Sequence, residues 1–459
     1  MVSEFTLLYK FLLIAMAIPI TDMGIKLTKG RVKLATSKLG SKRSIESILG
    51  NDGLIISKQC QLSFKKTLEG VVVIGPTGEH KSTSILLPNL LSNSLPLSSI
   101  IVADPKGELW NLTHKYQESI GRKTILFEPL GDHSHYNPIE HCESFTESRA
   151  LATNLLQFGE LAIQLASGKA GGSSEWTNMS VPLWTSVLLN SKTISQGIKF
   201  LINSTPNQIT ETLGNSNNED VKEQFRIFMS AAGSPKTLSS ILSTLLTSLQ
   251  LFTDHKLINS TSKSDFAPID FRKEPTILYI KYDEAKSNYL SPFLSIFYSQ
   301  LIEKIMYAEG LPVLFLLDEF QNAGKVANFE QIVAVSRSKN IGFLICLQNL
   351  VKLHDIYGKN NTTTILNNLK TKAILPSLSD YDALSYISNL CGDKEVLTET
   401  HNKDNTSTSK TVKKVFTPDE VRRIPDYKTL IIMHNKLPFL DDQNIYYTQK
   451  KYTKNVLKS

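Results

Sequence analysis

Val71-Val72-Val73-Ile74-Gly75-Pro76-Thr77-Gly78-Glu79-His80-Lys81-Ser82-Thr83 is the stretch on which the fold turns. Its four β-branched residues, preceded by Gly70, form an apolar run without polar alternation, the pattern of a strand covered on both faces. A glycine-bearing turn follows, and Ser82–Leu91 has helical character. Strand, turn and helix in that order aim backbone N–H groups and a helix N-terminus at one point, where a polyphosphate can be cradled. Gly75, Pro76, Thr77, Gly78, Glu79, His80, Lys81, Ser82 and Thr83 are therefore the candidate phosphate-binding residues. Lys81 would reach the β- and γ-phosphates, and the Ser82 hydroxyl would ligate magnesium. The pattern GxxxxGK[ST] is broken once: His80 stands where its second glycine belongs. A Cβ at that position is expected to crowd the nucleotide or the neighbouring strand. A plain strand–turn–helix junction is the rival reading.

A second constellation weighs against that rival. The apolar run Leu311–Leu317 leads directly into Asp318-Glu319. A buried strand ending in two carboxylates offers the first to magnesium and the second to an attacking water. Asp318 joins Ser82 as a metal ligand, Glu319 is the candidate base, and ATP with Mg2+ is the implied cofactor pair. Gln348 directly follows the apolar run Gly342–Leu347, at a strand end that faces a ligand crevice, so its amide can sense a γ-phosphate. Arg337, in Ser336-Arg337-Ser338-Lys339, is a candidate arginine finger for a neighbouring subunit, with a solvated helix end as the alternative. Asp104 and Glu108 close a further run, Ile100–Ala103, where Pro105 and Gly107 account for part of the segment as turn chemistry.

Other short apolar runs fall at Thr124–Phe127, Thr276–Ile280, Ala373–Leu375 and Thr429–Met433, alternating with helical stretches. That alternation predicts a parallel sheet with helices on both faces. From about Cys142 to Thr261 the apolar spacing is helical throughout, as in Leu238, Ile241, Leu242, Leu245 and Leu249, which predicts an all-helical insertion. Trp176 and Trp184 in that block are expected to pack in its core. Glu399–Lys414, rich in Thr, Ser, Lys and Asn, is expected to be an exposed loop, and the chain is expected to end in a polar tail.

Composition narrows the class. The 459 residues are 41% hydrophobic and 20% charged, which fits two or three packed domains and excludes fibrous or wholly disordered chains. The net charge of +7 is a mild bias that selects no partner. Cys60, Cys142, Cys346 and Cys391 form no CxxC pair, so zinc and disulfide frameworks are disfavoured and a reducing compartment is expected. Near the start, Phe11–Ile20 is uninterruptedly apolar, close to the lower limit of about 17 residues for a membrane span. Lys26, Lys29, Arg31, Lys33, Lys38, Lys42 and Arg43 follow it, which places the larger part of the chain on the cytoplasmic side of the cell membrane. A signal peptide and a buried helix are the competing readings of that run.

The same residues carry a resemblance to a known family. Gly75–Thr83 with Leu87-Pro88-Asn89-Leu90, then Asp104-Pro105-Lys106-Gly107-Glu108-Leu109, occur in order with Phe127-Glu128-Pro129-Leu130, Tyr136-Asn137-Pro138 and Glu175-Trp176-Thr177-Asn178. Leu317-Asp318-Glu319-Phe320, Gln348-Asn349-Leu350 and Thr417–Pro425 complete the series. From about residue 68 to 440 the chain resembles the type IV coupling proteins, the TraG/TraD-like conjugative ATPases. The resemblance implies an α/β fold: a RecA-like P-loop domain on a mostly parallel sheet, an inserted all-α domain and a short N-terminal membrane helix. It divides the chain into an anchor at 1–24, nucleotide-binding parts at 25–141 and 269–459, and the insertion at 142–268. It also implies a homo-hexamer that moves DNA, with relaxase or other protein cargo, into a type IV secretion channel by hydrolysing ATP. Two departures bear on this: His80, and a single short apolar run where the family usually has two spans. A non-hydrolysing substrate receptor and an FtsK/HerA-like DNA pump remain as alternatives.

Overall fold

The computed structural model describes residues 38–168, 175–402, 405–433 and 435–456, and side chains outside 397–410. The expected anchor at 1–24 lies outside the described residues. Among the described residues, no helix is long and apolar enough to cross a membrane.

The strands are β1 (Val71–Ile74), β2 (Ser99–Asp104), β3 (Lys123–Phe127), β4 (Thr276–Lys281), β5 (Val313–Leu317), β6 (Ile341–Leu347), β7 (Thr371–Ile374), β8 (Asp393–Asn402), β9 (Asn405–Lys414), β10 (Lys428–Met433) and β11 (Phe439–Asp442). Nine of them form one sheet in the order β11-β10-β7-β1-β6-β5-β2-β4-β3. From β7 to β3 every neighbouring pair is parallel, while β10 and β11 add antiparallel at the edge. Every residue of β1, β2, β5 and β6 is buried, which is why these runs read as continuous apolar segments. Among the described residues, the short apolar runs picked out in the sequence become strands of this sheet, and β11 is one that the brevity of Phe439–Asp442, with two apolar residues, concealed.

Parallel pairing requires helical crossovers, and the longest lies between the neighbours β3 and β4. There the chain passes through helices at Phe145–Ser167, Glu175–Leu189, Ile194–Asn203, Pro206–Gly214, Glu219–Ala232, Pro235–Ser248 and His255–Ser260. A Cβ on Gly159 would collide with the Ser248 carbonyl, so glycine lets the first of these helices approach the end of Pro235–Ser248. Trp184 is fully buried as expected, but Trp176 is 40% exposed. Helix Phe145–Ser167 packs on Ser287–Tyr307, where Lys304 Nζ meets Glu147 at 2.8 Å.

Two expectations about the C-terminal part are corrected. Glu399–Lys414 is not a loop: β8 and β9 pair antiparallel from Asp393↔Lys414 to Asn402↔Asn405, as a two-stranded sheet separate from the nine-stranded one. Thr, abundant there, suits a pleated backbone, and polar composition alone hid the strands. The tail is ordered too. Helix Lys450–Val456 buries Tyr452, and its Asn455 Nδ2 donates to the Leu91 carbonyl at 2.9 Å.

Candidate nucleotide site

β1 ends at the loop, and its close approach to neighbouring strands dictates the first glycine. Gly75 N donates to Leu347 O on β6 at 3.0 Å, and a Cβ on Gly75 would lie 2.8 Å from that of Leu375. Two later residues take left-handed backbone, Gly78 at φ +92° and His80 at φ +62°. Position 80 thus keeps the conformation a glycine favours, even though it carries an imidazole. That ring stacks on Tyr427, with centroids 5.6 Å apart and planes at 22°, and its Nδ1 lies 3.2 Å from Thr83 Oγ1.

The helix after the loop begins with a π-helical turn, Ser82–Leu86, before the α-helical Leu87–Leu90. Pro88 has no N–H to give to the carbonyl one turn back, which explains the widened turn ahead of it. One turn position further, Asn89 is buried and makes three backbone bonds. Its Nδ2 donates to Ile55 O (2.8 Å) and Ile85 O (2.7 Å), and its Oδ1 accepts from Ile55 N at 2.8 Å. The helix that starts the site is thereby fixed to the segment preceding β1.

Two distant parts of the sequence meet here. Lys81 Nζ donates to Gly75 O at 2.8 Å and Pro76 O at 2.9 Å, inside its own loop. Ser82 Oγ donates to Asp318 Oδ2 at 2.8 Å. Asp318 follows β5, and Glu319 turns sharply at φ +50° so that its carboxylate enters a network of amides. Glu319 accepts from Asn322 Nδ2 at 2.7 Å and from Gln348 Nε2 at 2.8 Å, while Gln348 N donates to Gln321 Oε1 at 3.1 Å. A cleft of about 160 Å³ opens on Thr77, Gly78, His80, Lys81, Ser82 and Thr83 together with Lys106, Glu108, Asp318 and Glu319. A larger cavity of about 400 Å³ lies between helix Phe145–Ser167 and Gln321, Asn322 and Lys352. The smaller cleft is the candidate site, because the glycine-bearing loop and the carboxylates converge there.

Electrostatics mark the same floor. Burial raises the Asp318 carboxyl above its usual range, against the opposing effects of the Ser82 hydrogen bond and the Lys81 charge. Burial likewise pushes Asp104 up to about 6, partly countered by the Trp110 and Leu109 N–H groups, while nearby Asp318 and Glu108 add to the rise. Glu284 is raised by sharing a hydrogen bond with Glu319, then by burial, with Lys106 3.7 Å away countering. The buried Tyr282 hydroxyl, within electrostatic reach of Asp104, Asp318 and Glu319, has no hydrogen-bond partner among the described residues.

This donor set suits a hydrated magnesium ion with a polyphosphate. A hydroxyl and a carboxylate are hard oxygen ligands for a small dication, and the lysine ammonium occupies carbonyls that phosphate oxygens can replace. Among the described residues, no group of three or more His, Cys, Asp and Glu side chains is placed to hold a metal by itself, so the phosphates and water would have to complete the shell. Arg337 lies elsewhere. It precedes β6 at the amino ends of the strands, where its Nη1 is 2.9 Å from Glu69 Oε1, and Arg272 Nη2 holds the same turn through Lys339 O at 2.8 Å. Glu284, Gln321 and Asn322 were missed in the sequence. Glu284 had a readable signal, since Asp283-Glu284 stands just beyond β4 as Asp318-Glu319 does after β5.

The fold and loop define a RecA-like α/β protein of the P-loop class, with helices inserted between two neighbouring strands. The chain belongs to the type IV secretory system conjugative DNA transfer family, whose model matches residues 33–459. It is similar to the protein VirD4 of Rhizobium radiobacter, with 26% identity over 393 residues, 81% of this chain and 54% of the relative. It is also similar to the conjugal transfer protein TraG of Escherichia coli, with 25% identity over 410 residues, 78% of this chain and 62% of the relative. The chain therefore spans a little over half the length of these curated relatives. In structure it resembles the unbound bacterial conjugative coupling protein TrwB at a TM-score of 0.69 and 15% identity, covering 91% of this chain and 95% of the other. TrwB has also been solved with ADP and Mg2+ and with a non-hydrolysable ATP analogue, at TM-scores of 0.67.

Proposed function

We propose that this chain is the motor of a coupling protein, which binds ATP with Mg2+ in the cleft and hydrolyses it to drive DNA, with any protein cargo, into a type IV secretion channel. The observation that carries the reading is the Ser82–Asp318 contact at 2.8 Å, which joins the phosphate loop to the acidic strand end. Family membership and the nucleotide complexes of TrwB support it.

Lys81 would exchange the two loop carbonyls for β- and γ-phosphate oxygens, charged acceptors that bind an ammonium more strongly. Ser82 Oγ and Asp318 would hold magnesium, whose charge would offset that of the phosphates. Glu319 keeps its carboxylate oriented by two amide donors and would align the attacking water. Gln348 ties that carboxylate to the end of β6, so loss of the γ-phosphate would be felt by the sheet. Arg337 is the finger of an adjacent subunit in a homo-hexamer. The segment 1–24 anchors the protein in the cell membrane, with the two nucleotide-binding parts (25–141, 269–459) and the insertion (142–268) on the cytoplasmic side.

The test is ATP turnover by the purified full chain, alone and with single- or double-stranded DNA. Lys81→Ala should lose nucleotide binding, while Glu319→Gln should bind ATP but turn over at least 100-fold more slowly, as expected when a positioned base is removed, about 10²–10⁴. Unchanged turnover in both variants would remove the assigned site. Tight ATP binding by the parent chain without hydrolysis, with or without DNA, would favour the substrate-receptor reading.

A further inference from the structure

His80 is the residue of the loop whose type its backbone argues against. A left-handed φ of +62° suits glycine and is costly for a side chain with a Cβ, yet the loop here keeps that bend. The imidazole is held on two sides: its edge by Thr83 Oγ1 at 3.2 Å, its face by the ring of Tyr427. Tyr427 comes from the turn between helix Pro418–Arg422 and β10, far along the chain. It is itself left-handed, at φ +60°, and its carbonyl accepts from Gln443 N at 2.7 Å, which pins the turn beside the β10–β11 edge. The residue is 58% exposed, so burying hydrophobic area does not account for its position. Nor does it touch Lys81, Asp318 or Glu319 in the network described above.

We propose that Tyr427 is a positioning residue for the phosphate loop: stacked on His80, it holds position 80 in the left-handed bend that a glycine would adopt unaided. The loop N–H groups then stay aimed at the phosphates although the second glycine is missing. This role rests on the nucleotide reading of the cleft. It requires that Tyr427 matter only while position 80 carries a side chain.

The experiment is a double-mutant cycle in the full chain, read by amide hydrogen exchange of the loop without nucleotide and by titration with an ATP analogue. Tyr427→Ala should speed exchange of the loop amides and weaken the analogue roughly tenfold, the scale set by an unsupported left-handed residue. Tyr427→Phe should keep the parent values, since the stack needs the ring and not the hydroxyl. Adding Tyr427→Ala to His80→Gly should change neither measurement further. Unaltered exchange and affinity in Tyr427→Ala, or an equal loss in both backgrounds, would overturn the proposal. If the parent chain binds no ATP analogue while the exchange cycle behaves as stated, the nucleotide reading fails and the strut stands.

Discussion

Asp104 illustrates how one side chain at this site trades stability for charge. It is 2% exposed, accepts from Trp110 N at 2.8 Å, and its carboxyl is raised from 3.8 to about 6, chiefly by burial. Well below pH 3.8 it is protonated in both folded and unfolded chains, and its contribution to stability is at its greatest. Between pH 4 and 6 the unfolded chain ionises first, so stability falls as pH rises, and above 6 the full penalty is in place. That rise corresponds to about 3 kcal/mol as an upper bound. Asp104→Asn keeps an acceptor for Trp110 N and cannot ionise. Thermal unfolding of the nucleotide-free protein should show it more stable than the parent at pH 7.5, with the gap closing towards pH 4. A variant no more stable than its parent at pH 7.5 would show that the buried charge is relieved in some other way.

At the scale of elements, the helix after the phosphate loop depends on a residue that makes no contact with the site. Asn89→Ala would leave Ile55 N and O without their side-chain partners in a dry environment, and each unpaired buried group costs about 1–3 kcal/mol. The variant should lower the unfolding free energy by about 3 kcal/mol in a denaturant titration, with a larger effect than Ser92→Ala three residues on, whose hydroxyl is only partly buried. The sequence showed Asn89 as part of a motif but not its bonds, because its partners lie in the segment before β1, which has no periodic pattern. Legibility followed that rule throughout. Strands buried on both faces announced themselves as apolar runs, and the phosphate loop and Asp318-Glu319 were readable because each follows such a strand directly. β8 and β9 were not legible, since most of their residues are polar and only pairing makes them strands, and β11 offers just two apolar residues, Phe439 and Leu440. Tyr427 was invisible for a related reason: a stack on His80 is made by tertiary placement, and no local spacing encodes it.

The whole molecule places its candidate catalytic groups at opposite ends of one sheet. Lys81, Asp318, Glu319 and Gln348 gather at the carboxyl ends of β1, β5 and β6, whereas Arg337 sits before the first residue of β6. β6 has seven residues, so at about 3.3 Å each the two ends stand roughly 20 Å apart. An arginine side chain cannot span that distance, and the Glu69 ion pair and the Arg272 bond to Lys339 O hold the turn where it is. If Arg337 acts in catalysis it must therefore serve a different copy of the chain. Arg337→Ala should leave the affinity for ATP unchanged while lowering turnover, about 10³-fold or more by the usual size of finger effects. The decisive measurement mixes two impaired proteins. An Arg337→Ala subunit retains Glu319, a Glu319→Gln subunit retains Arg337, and only an interface between them restores a complete site. Co-assembled in equal amounts, the pair should regain a fraction of parental turnover that neither shows alone. If the mixture stays as inactive as its components while an oligomer forms, Arg337 contributes nothing across subunits and is the solvated turn residue that its own sequence context equally allowed.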